Sequence, residues 1–295
     1  MIAALILALH AAADQRSFDA QEGARRWSID VKWTDHAGAL HRTEYELSAT
    51  AVQADIDTPL RFQKRDAAQH AVRAVRAYGD TLPNVKVKAR VSGKGQISIS
   101  VKARKRSRAK AVLARAIEIR DEATDAYLAE HGYTRLGDAI VADHARHVDE
   151  YADDVAPLVA ALGGPTDDPR KFASIALAHV QSIPYQSRAK VSNAYRRPLL
   201  VLARNKGDCD SKSTLFLALM HSAYPDLPLT MVYIPGHAFV GLGIEPQRGD
   251  VTFRKRGQTW VIAEPVGPAM FALGETKGKS RRRARSGRVQ IAVVP

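Results

Sequence analysis

The only cysteine of the chain lies in the stretch Gly207-Asp208-Cys209-Asp210-Ser211-Lys212-Ser213-Thr214-Leu215-Phe216-Leu217-Ala218-Leu219-Met220. Gly207 and Asp208 are residue types that favour a turn and a helix N-cap, and apolar residues recur at helical spacing after the cysteine. The pattern predicts a helix with Cys209 in its first turn, where unpaired backbone N–H groups favour a thiolate and can donate to an oxyanion. A buried cysteine acting as a small hydrophobe is the alternative, but the polar residues around Cys209 argue against it.

Two later segments carry a histidine and an acid beside predicted strands. They are Gly236-His237-Ala238-Phe239-Val240 and Trp260-Val261-Ile262-Ala263-Glu264-Pro265. Together with the cysteine segment they resemble the transglutaminase-like cysteine peptidase superfamily, whose members use Cys, His and Asp in this chain order. Val180-Gln181-Ser182-Ile183-Pro184-Tyr185 and Arg197-Pro198-Leu199-Leu200 are similar to segments of bacterial members, so the resemblance covers about residues 167 to 270. The chain departs from the family at Glu264, where Asp is usual, and at Ser211, where many bacterial members have an acid.

The resemblance implies an α+β, papain-like fold in which the cysteine helix packs on an antiparallel sheet. The residues are consistent with this fold, because strands predicted between 229 and 263 form a meander that can supply a base and an acid. Among the ten histidines, only His237 follows a Pro-Gly turn into an apolar strand downstream of the cysteine, which predicts that it is the general base. Glu264 ends the last strand, is fixed by Pro265, and is predicted to hold the imidazole in the useful tautomer.

Other acids compete for the role of Glu264. Asp250 and Glu245 lie in or beside a turn that is predicted to face solvent, which favours Glu264. Asp208 and Asp210 flank the cysteine, and we interpret both as structural because an N-cap carboxylate usually faces the N–H groups of its own helix.

The predicted helix at 169–180 ends in Gln181, which is the candidate for a side-chain oxyanion donor. The alternative is a polar residue at a helix end that faces water. Tyr185 is a weaker candidate for the same pocket.

Composition limits the classes of protein that fit the chain. A length of 295 residues suggests two domains, and a hydrophobic content of 45% is that of a globular chain. One cysteine excludes an intramolecular disulfide framework and a cysteine-based zinc site. His144 and His147 lie three residues apart on a predicted helix, with Asp143 and Glu150 nearby. A metal site would need a third convincing ligand, and none is present, so a solvated polar face is predicted instead. We expect no cofactor and no metal.

The N-terminal segment 1–13 is a short apolar run that ends in small residues, which predicts a signal peptide cleaved after Ala13 and a periplasmic or secreted protein. No Lys or Arg precedes the run, so a buried strand or a misplaced start codon remains an alternative, and the protein would then be cytoplasmic. No other segment is apolar enough for a transmembrane helix.

The region 14–162 is predicted to form an N-terminal α+β accessory domain. A hairpin at about 24–49, a helix at about 59–78 and a second hairpin at 85–101 give a ββαββ order, and a charged helical region follows from 103 to 162. Gly163-Gly164-Pro165-Thr166 marks the predicted border with a catalytic domain at 167–272.

The region 273–295 is a basic tail. Its charge predicts poor order from 276 to 288, followed by an edge strand at 289–294. A formal net charge of +13 for the chain favours anionic surroundings. Because the tail lacks aromatic residues that would stack on bases, an anionic envelope surface is favoured over nucleic acid as its partner.

These features predict a cysteine hydrolase that cleaves an amide or peptide bond in a protein or peptide substrate through a thioester acyl-enzyme, using Cys209, His237 and Glu264. An acyltransferase with an amine acceptor, such as a transglutaminase or transpeptidase, is one alternative. A catalytically silent binding module on the same fold is another, although a complete set of three residues disfavours it. The sequence leaves the oligomeric state open.

Overall fold

A computed structural model describes residues 14–60, 62–93, 95–186, 195–267 and 270–294. In chain order the elements are β1 (Asp14–Glu22), β2 (Arg26–Thr34), β3 (Leu40–Ser48), α1 (Ala49–Asp57), α2 (Lys64–Asp80), β4 (Val85–Val91), β5 (Ile97–Ala103), α3 (Arg106–Glu130), β6 (Tyr133–Leu136), β7 (Ala139–Ala142), α4 (His144–Glu150), α5 (Ala156–Ala161), α6 (Pro169–Ser182), α7 (Pro198–Arg204), α8 (Cys209–Ala223), β8 (Leu229–Ile234), β9 (His237–Leu242), β10 (Thr252–Lys255), β11 (Gln258–Ala263), α9 (Gly278–Arg285) and β12 (Gln290–Val293). The mixture of helices and antiparallel sheets confirms the α+β class.

The cysteine helix α8 lies on a five-stranded sheet with the strand order β10-β11-β9-β8-β12, in which all neighbours are antiparallel. It contacts β8 and β9. The helix is apolar on all sides from Leu215 to Met220, and each of these residues is fully buried. The predicted helix and the four predicted strands that follow it are therefore present, and the helix packs on the sheet as expected.

The five-stranded sheet is buried on both faces. Successive side chains of a strand point to opposite faces, so Met231 and Val240 lie on the face that joins the main core with α8, whereas Val232 and Phe239 lie in a second core. Part of that second core comes from the C-terminal region. The contributing residues there are Ala284, Val289 and Ile291.

The C-terminal region is therefore ordered, and the predicted poor order from 276 to 288 is wrong. The basic residues of α9 lie mainly on its outer face, while Ser280 and Ala284, one helical turn apart, are buried. The prediction of poor order was based on the charged residues, which lie mainly on the outer face of the helix. Burial of the inner face against the sheet stabilises the helix. The predicted edge strand is confirmed as β12, which pairs with β8.

The first three strands form a separate antiparallel sheet with the order β1-β2-β3. The predicted hairpin is confirmed, since β2 pairs with β3, and Trp27, Ile29, Val31 and Trp33 point inward and are buried. The edge strand β1 was not predicted, because it is largely exposed and carries no apolar alternation.

The chain divides into two compact units, and their borders differ from the predicted border at 163–166. One unit comprises residues 14–59 with 144–294, and the other comprises 60–143. The first sheet and α1 belong with the cysteine helix, because Trp33 and Val52 join the same core as residues of α6 and α8. Periodicity predicts individual elements but does not reveal which core they enter.

The smaller unit contains α2, the hairpin β4–β5, α3 and the hairpin β6–β7. Its core is formed by residues such as Val72, Val75, Ala89 and Ala116. The second predicted hairpin is confirmed as β4–β5. The hairpin β6–β7 lies in a region where only helix was predicted. Gly132, just before the hairpin, and Gly137, in the turn between its two strands, both have positive φ angles, which glycine adopts readily.

Within the described residues, no helix is both long enough and apolar enough to cross a membrane. The predicted signal peptide at 1–13 lies outside the described residues.

The order of α9 predicts a difference between substitutions on its two faces. Ala284→Asp places a carboxylate in the second core, where Ala284 is 1% exposed, and should lower the free energy of unfolding by about 2–4 kcal/mol. Arg282→Asp, on the exposed face, should change it by only about 0.5 kcal/mol. Urea unfolding measures both, and equal midpoints for the two variants would contradict the packing of α9.

Candidate active site

Cys209 is the first residue of α8, as the sequence predicts. Asp208 is the N-cap, and its buried carboxylate accepts hydrogen bonds from the Ser211 backbone N–H (3.0 Å) and from the Ser211 hydroxyl (2.6 Å). The structural role predicted for Asp208 is thus confirmed. Asp210 differs, since its carboxylate accepts a hydrogen bond from the Cys209 thiol at 3.4 Å. Cys209 itself is 5% exposed.

His237 and Glu264 are in direct contact. His237 opens β9 after the turn at Pro235 and Gly236, and Glu264 follows the last residue of β11, the strand next to β9. The His237 Nε2 atom lies 2.7 Å from Glu264 Oε2. This contact leaves Nδ1 as the second ring nitrogen for proton exchange. Because α8 packs on β9, the elements that carry Cys209 and His237 are in contact as well.

Glu264 is 4% exposed, so its carboxylate depends on hydrogen bonds within the protein. One oxygen is bonded to His237, and the other accepts a hydrogen bond from the Thr276 hydroxyl at 2.7 Å. Thr276 lies just before α9 and was not identified from the sequence, because its role depends on how the C-terminal segment folds back.

The two competing acids have other positions. Asp250 forms a partly buried ion pair with Arg170 (2.7 Å) and accepts a hydrogen bond from the Gln247 backbone N–H (2.8 Å). Glu245 is exposed. Glu264 is thus the acid that contacts the histidine.

Gln181 lies in the site but does not have the geometry of an oxyanion donor. It is 3% exposed, so it does not face water either. Its amide nitrogen donates to the backbone carbonyls of Glu264 and Phe271, both at 2.8 Å, and its oxygen lies 2.7 Å from His36 Nε2. Both amide hydrogens are therefore engaged, one with the backbone of Glu264 and the other with the backbone of Phe271.

Tyr185 is 45% exposed and lies beside the cysteine loop. It forms a parallel β-bridge with Gly207, and the next residue, Gln186, donates its backbone N–H to the Gly207 carbonyl at 3.0 Å. Only glycine fits at 207, because an added Cβ would lie 2.9 Å from Lys212 Cγ.

Lys212, three residues after the cysteine, is a fully buried lysine whose contacts were not predicted from the sequence. Its Nζ donates to the carbonyls of Gln181 (3.1 Å) and Ile183 (2.7 Å) at the end of α6. It thereby satisfies carbonyls at the C-terminal end of one helix from the first turn of another. Burial lowers the pKa of Lys212 from 10.5 to about 7. The apolar run from Leu215 to Met220 is the signal that this part of α8 is buried on all sides, and the burial extends over residues 211–220, including Lys212.

The prediction that His144 and His147 lie on a solvated polar face is wrong, since both are buried. His144 Nδ1 lies 2.8 Å from the Thr214 hydroxyl, and His147 Nδ1 lies 2.9 Å from the Tyr195 hydroxyl. Burial lowers the pKa of His147 to about 3, so it is neutral at pH 7. Within the described residues, no group of three or more His, Cys, Asp or Glu side chains has the arrangement of a metal site.

Comparisons of the chain with protein-family models, curated proteins and solved structures found no significant match. The site combines a thiol at a helix N-terminus with an imidazole that is hydrogen-bonded to a buried carboxylate, and these are the components of nucleophilic acyl transfer.

The buried lysine predicts a pH dependence of stability. Between pH 7 and pH 10.5 the folded state releases the Lys212 proton while the unfolded chain keeps it, so this group raises the free energy of unfolding as pH rises, by about 1.4 kcal/mol per pH unit at most. Lys212→Met should remove this rise. Urea unfolding of both proteins across this range measures the difference in slope.

Lys206→Met, which removes an exposed lysine of the same unit, controls for the loss of one positive charge. Identical slopes for wild type and Lys212→Met would contradict a shifted titration of Lys212.

Proposed function

We propose that this protein is a cysteine hydrolase of the transglutaminase-like type that cleaves an amide or peptide bond through a thioester. The observation that carries the proposal is the 2.7 Å contact between His237 and the buried carboxylate of Glu264. The two residues lie at the ends of neighbouring strands of the sheet on which the helix that begins at Cys209 packs. The papain-like arrangement of the core is part of the same proposal.

The reaction has two steps, acylation and deacylation, and Cys209 and His237 take part in both. Cys209 Sγ attacks the carbonyl carbon of the substrate, and its proton passes to His237. As the C–N bond breaks, His237 returns that proton to the leaving amine, and the acyl group remains on Cys209 as a thioester. Water, deprotonated by His237, then attacks the thioester, and the thiol is regenerated when the acid leaves.

Glu264 contributes through His237. Its hydrogen bond fixes the ring so that Nδ1 is the nitrogen that takes the proton, and its negative charge stabilises the imidazolium that forms. The Thr276 hydroxyl holds the second carboxylate oxygen and so limits rotation of the carboxylate. Gln181 is a positioning residue in this scheme, because it holds the backbone of Glu264.

An exported location and contact with an anionic surface complete the proposal. The apolar segment at 1–13 and the basic outer face of α9 are the features that support them.

The experiment measures hydrolysis of fluorogenic peptide amides, with and without a primary amine. Cys209→Ala should lower turnover by about a thousandfold or more, and His237→Ala by nearly as much, because the two act as one unit. Glu264→Gln should be milder, at about tenfold to a hundredfold, since it removes orientation and charge but neither the nucleophile nor the base. A product that carries the added amine would identify acyl transfer.

Glu245→Gln is the matched control, because it neutralises an exposed acid that does not contact His237. It should retain wild-type turnover. Full activity of Cys209→Ala would show that the cysteine is structural, and the enzyme proposal would fail.

A further inference from the structure

A cavity of about 590 Å³ lies beside the segment that leads into α9. Thr276 links this cavity to Glu264, because it lines the cavity and donates its hydroxyl to Glu264 Oε1. Phe271 forms another part of the wall, and its carbonyl accepts a hydrogen bond from Gln181. A group bound in this cavity would thus lie one side chain away from the histidine–glutamate pair.

Two cationic side chains, Lys277 and Arg281, also line the cavity. Both residues are exposed, and in the part of the chain that the structure describes neither forms an ion pair. The Lys277 ammonium lies 5.7 Å from the centre of the Phe271 ring, which holds it at the wall of the cavity. The side chains are therefore available to an anion from solvent.

The remaining lining residues restrict the kind of anion. Val251, Met270 and Phe271 supply apolar surface, and Glu275 adds one negative charge. A densely charged polymer would gain little from the apolar wall. A single carboxylate on an aliphatic stem matches both the two cations and the apolar surface.

The segment that carries Lys277 and Arg281 also contacts the turn that precedes His237. The Lys279 ammonium donates to the carbonyl of Pro235, two residues before His237. The segment from Thr276 to Lys279 thus contacts the site on the glutamate side and on the histidine side.

We propose that this cavity is a substrate subsite that binds the carboxylate of an acidic residue in a peptide, with Lys277 and Arg281 as its ligands. The proposal rests on the proposed function and adds the substrate class to it: peptides with an acidic side chain near the bond that is cleaved.

The test compares a Glu-containing peptide amide with the matched peptide in which Gln replaces Glu. Wild type should favour the Glu peptide in kcat/KM, and Lys277→Gln combined with Arg281→Gln should reduce that preference by about fivefold to tenfold. Arg282→Gln combined with Arg285→Gln is the matched control, because these exposed residues lie on the same helix but do not line the cavity. The control should keep the wild-type preference, and urea unfolding should show that both double variants are folded.

A binding measurement separates this proposal from the proposed function. Fluorescence anisotropy of the labelled Glu and Gln peptides with Cys209→Ala needs no turnover, and it should show the same preference and the same dependence on Lys277 and Arg281. If that binding preference is present while no peptide is cleaved by wild type, the subsite stands and the hydrolase proposal fails.

Two results would overturn the subsite. One is equal binding and equal kcat/KM for the Glu and Gln peptides. The other is an equal loss of preference in the Arg282/Arg285 control, which would mean that a diffuse basic surface, suited to any polyanion, attracts the peptide.

Discussion

The buried carboxylate of Glu264 is the group on which the site depends. A carboxylate that is withdrawn from water is stable only when hydrogen-bond donors replace the solvent. Here the donors come from distant parts of the chain: the imidazole of His237 at the start of β9, and the hydroxyl of Thr276 just before α9. The need of the Glu264 carboxylate for hydrogen-bond donors therefore fixes the position of three parts of the chain. These are the end of β11, the beginning of β9, and the C-terminal segment just before α9.

A second set of buried polar contacts holds the surroundings of Glu264. Gln181 binds the backbone of Glu264 and of Phe271 and also contacts His36, in the turn between β2 and β3. Lys212 joins α8 to the end of α6, the helix that carries Gln181. The first sheet thus contributes to the site, and residues 14–59 cannot be regarded as a domain independent of the cysteine helix.

Local signals predicted much of this structure. The cap at Asp208, the turn at Pro235 and Gly236, and the alternation of the strands are encoded within a few residues, and they placed Cys209, His237 and Glu264 on the correct elements.

What the sequence did not predict depends on contacts between distant segments. Seven basic residues from 277 to 288 suggested poor order, because nothing nearby shows that the sheet has a second face to be covered. The burial of His144 and Lys212, and the engagement of both Gln181 amide hydrogens, depend on the same kind of information.

The central claim, that His237 activates Cys209, is tested most directly by the rate of alkylation with iodoacetamide at neutral pH. Because Cys209 is the only cysteine, all incorporated label reports on it, and the urea-unfolded chain gives the rate of an ordinary thiol with a pKa of about 8.5. Native wild type should react faster than the unfolded chain although Cys209 is buried, and His237→Ala should abolish this advantage. A native rate at or below that of the unfolded chain, and unchanged by His237→Ala, would contradict the account.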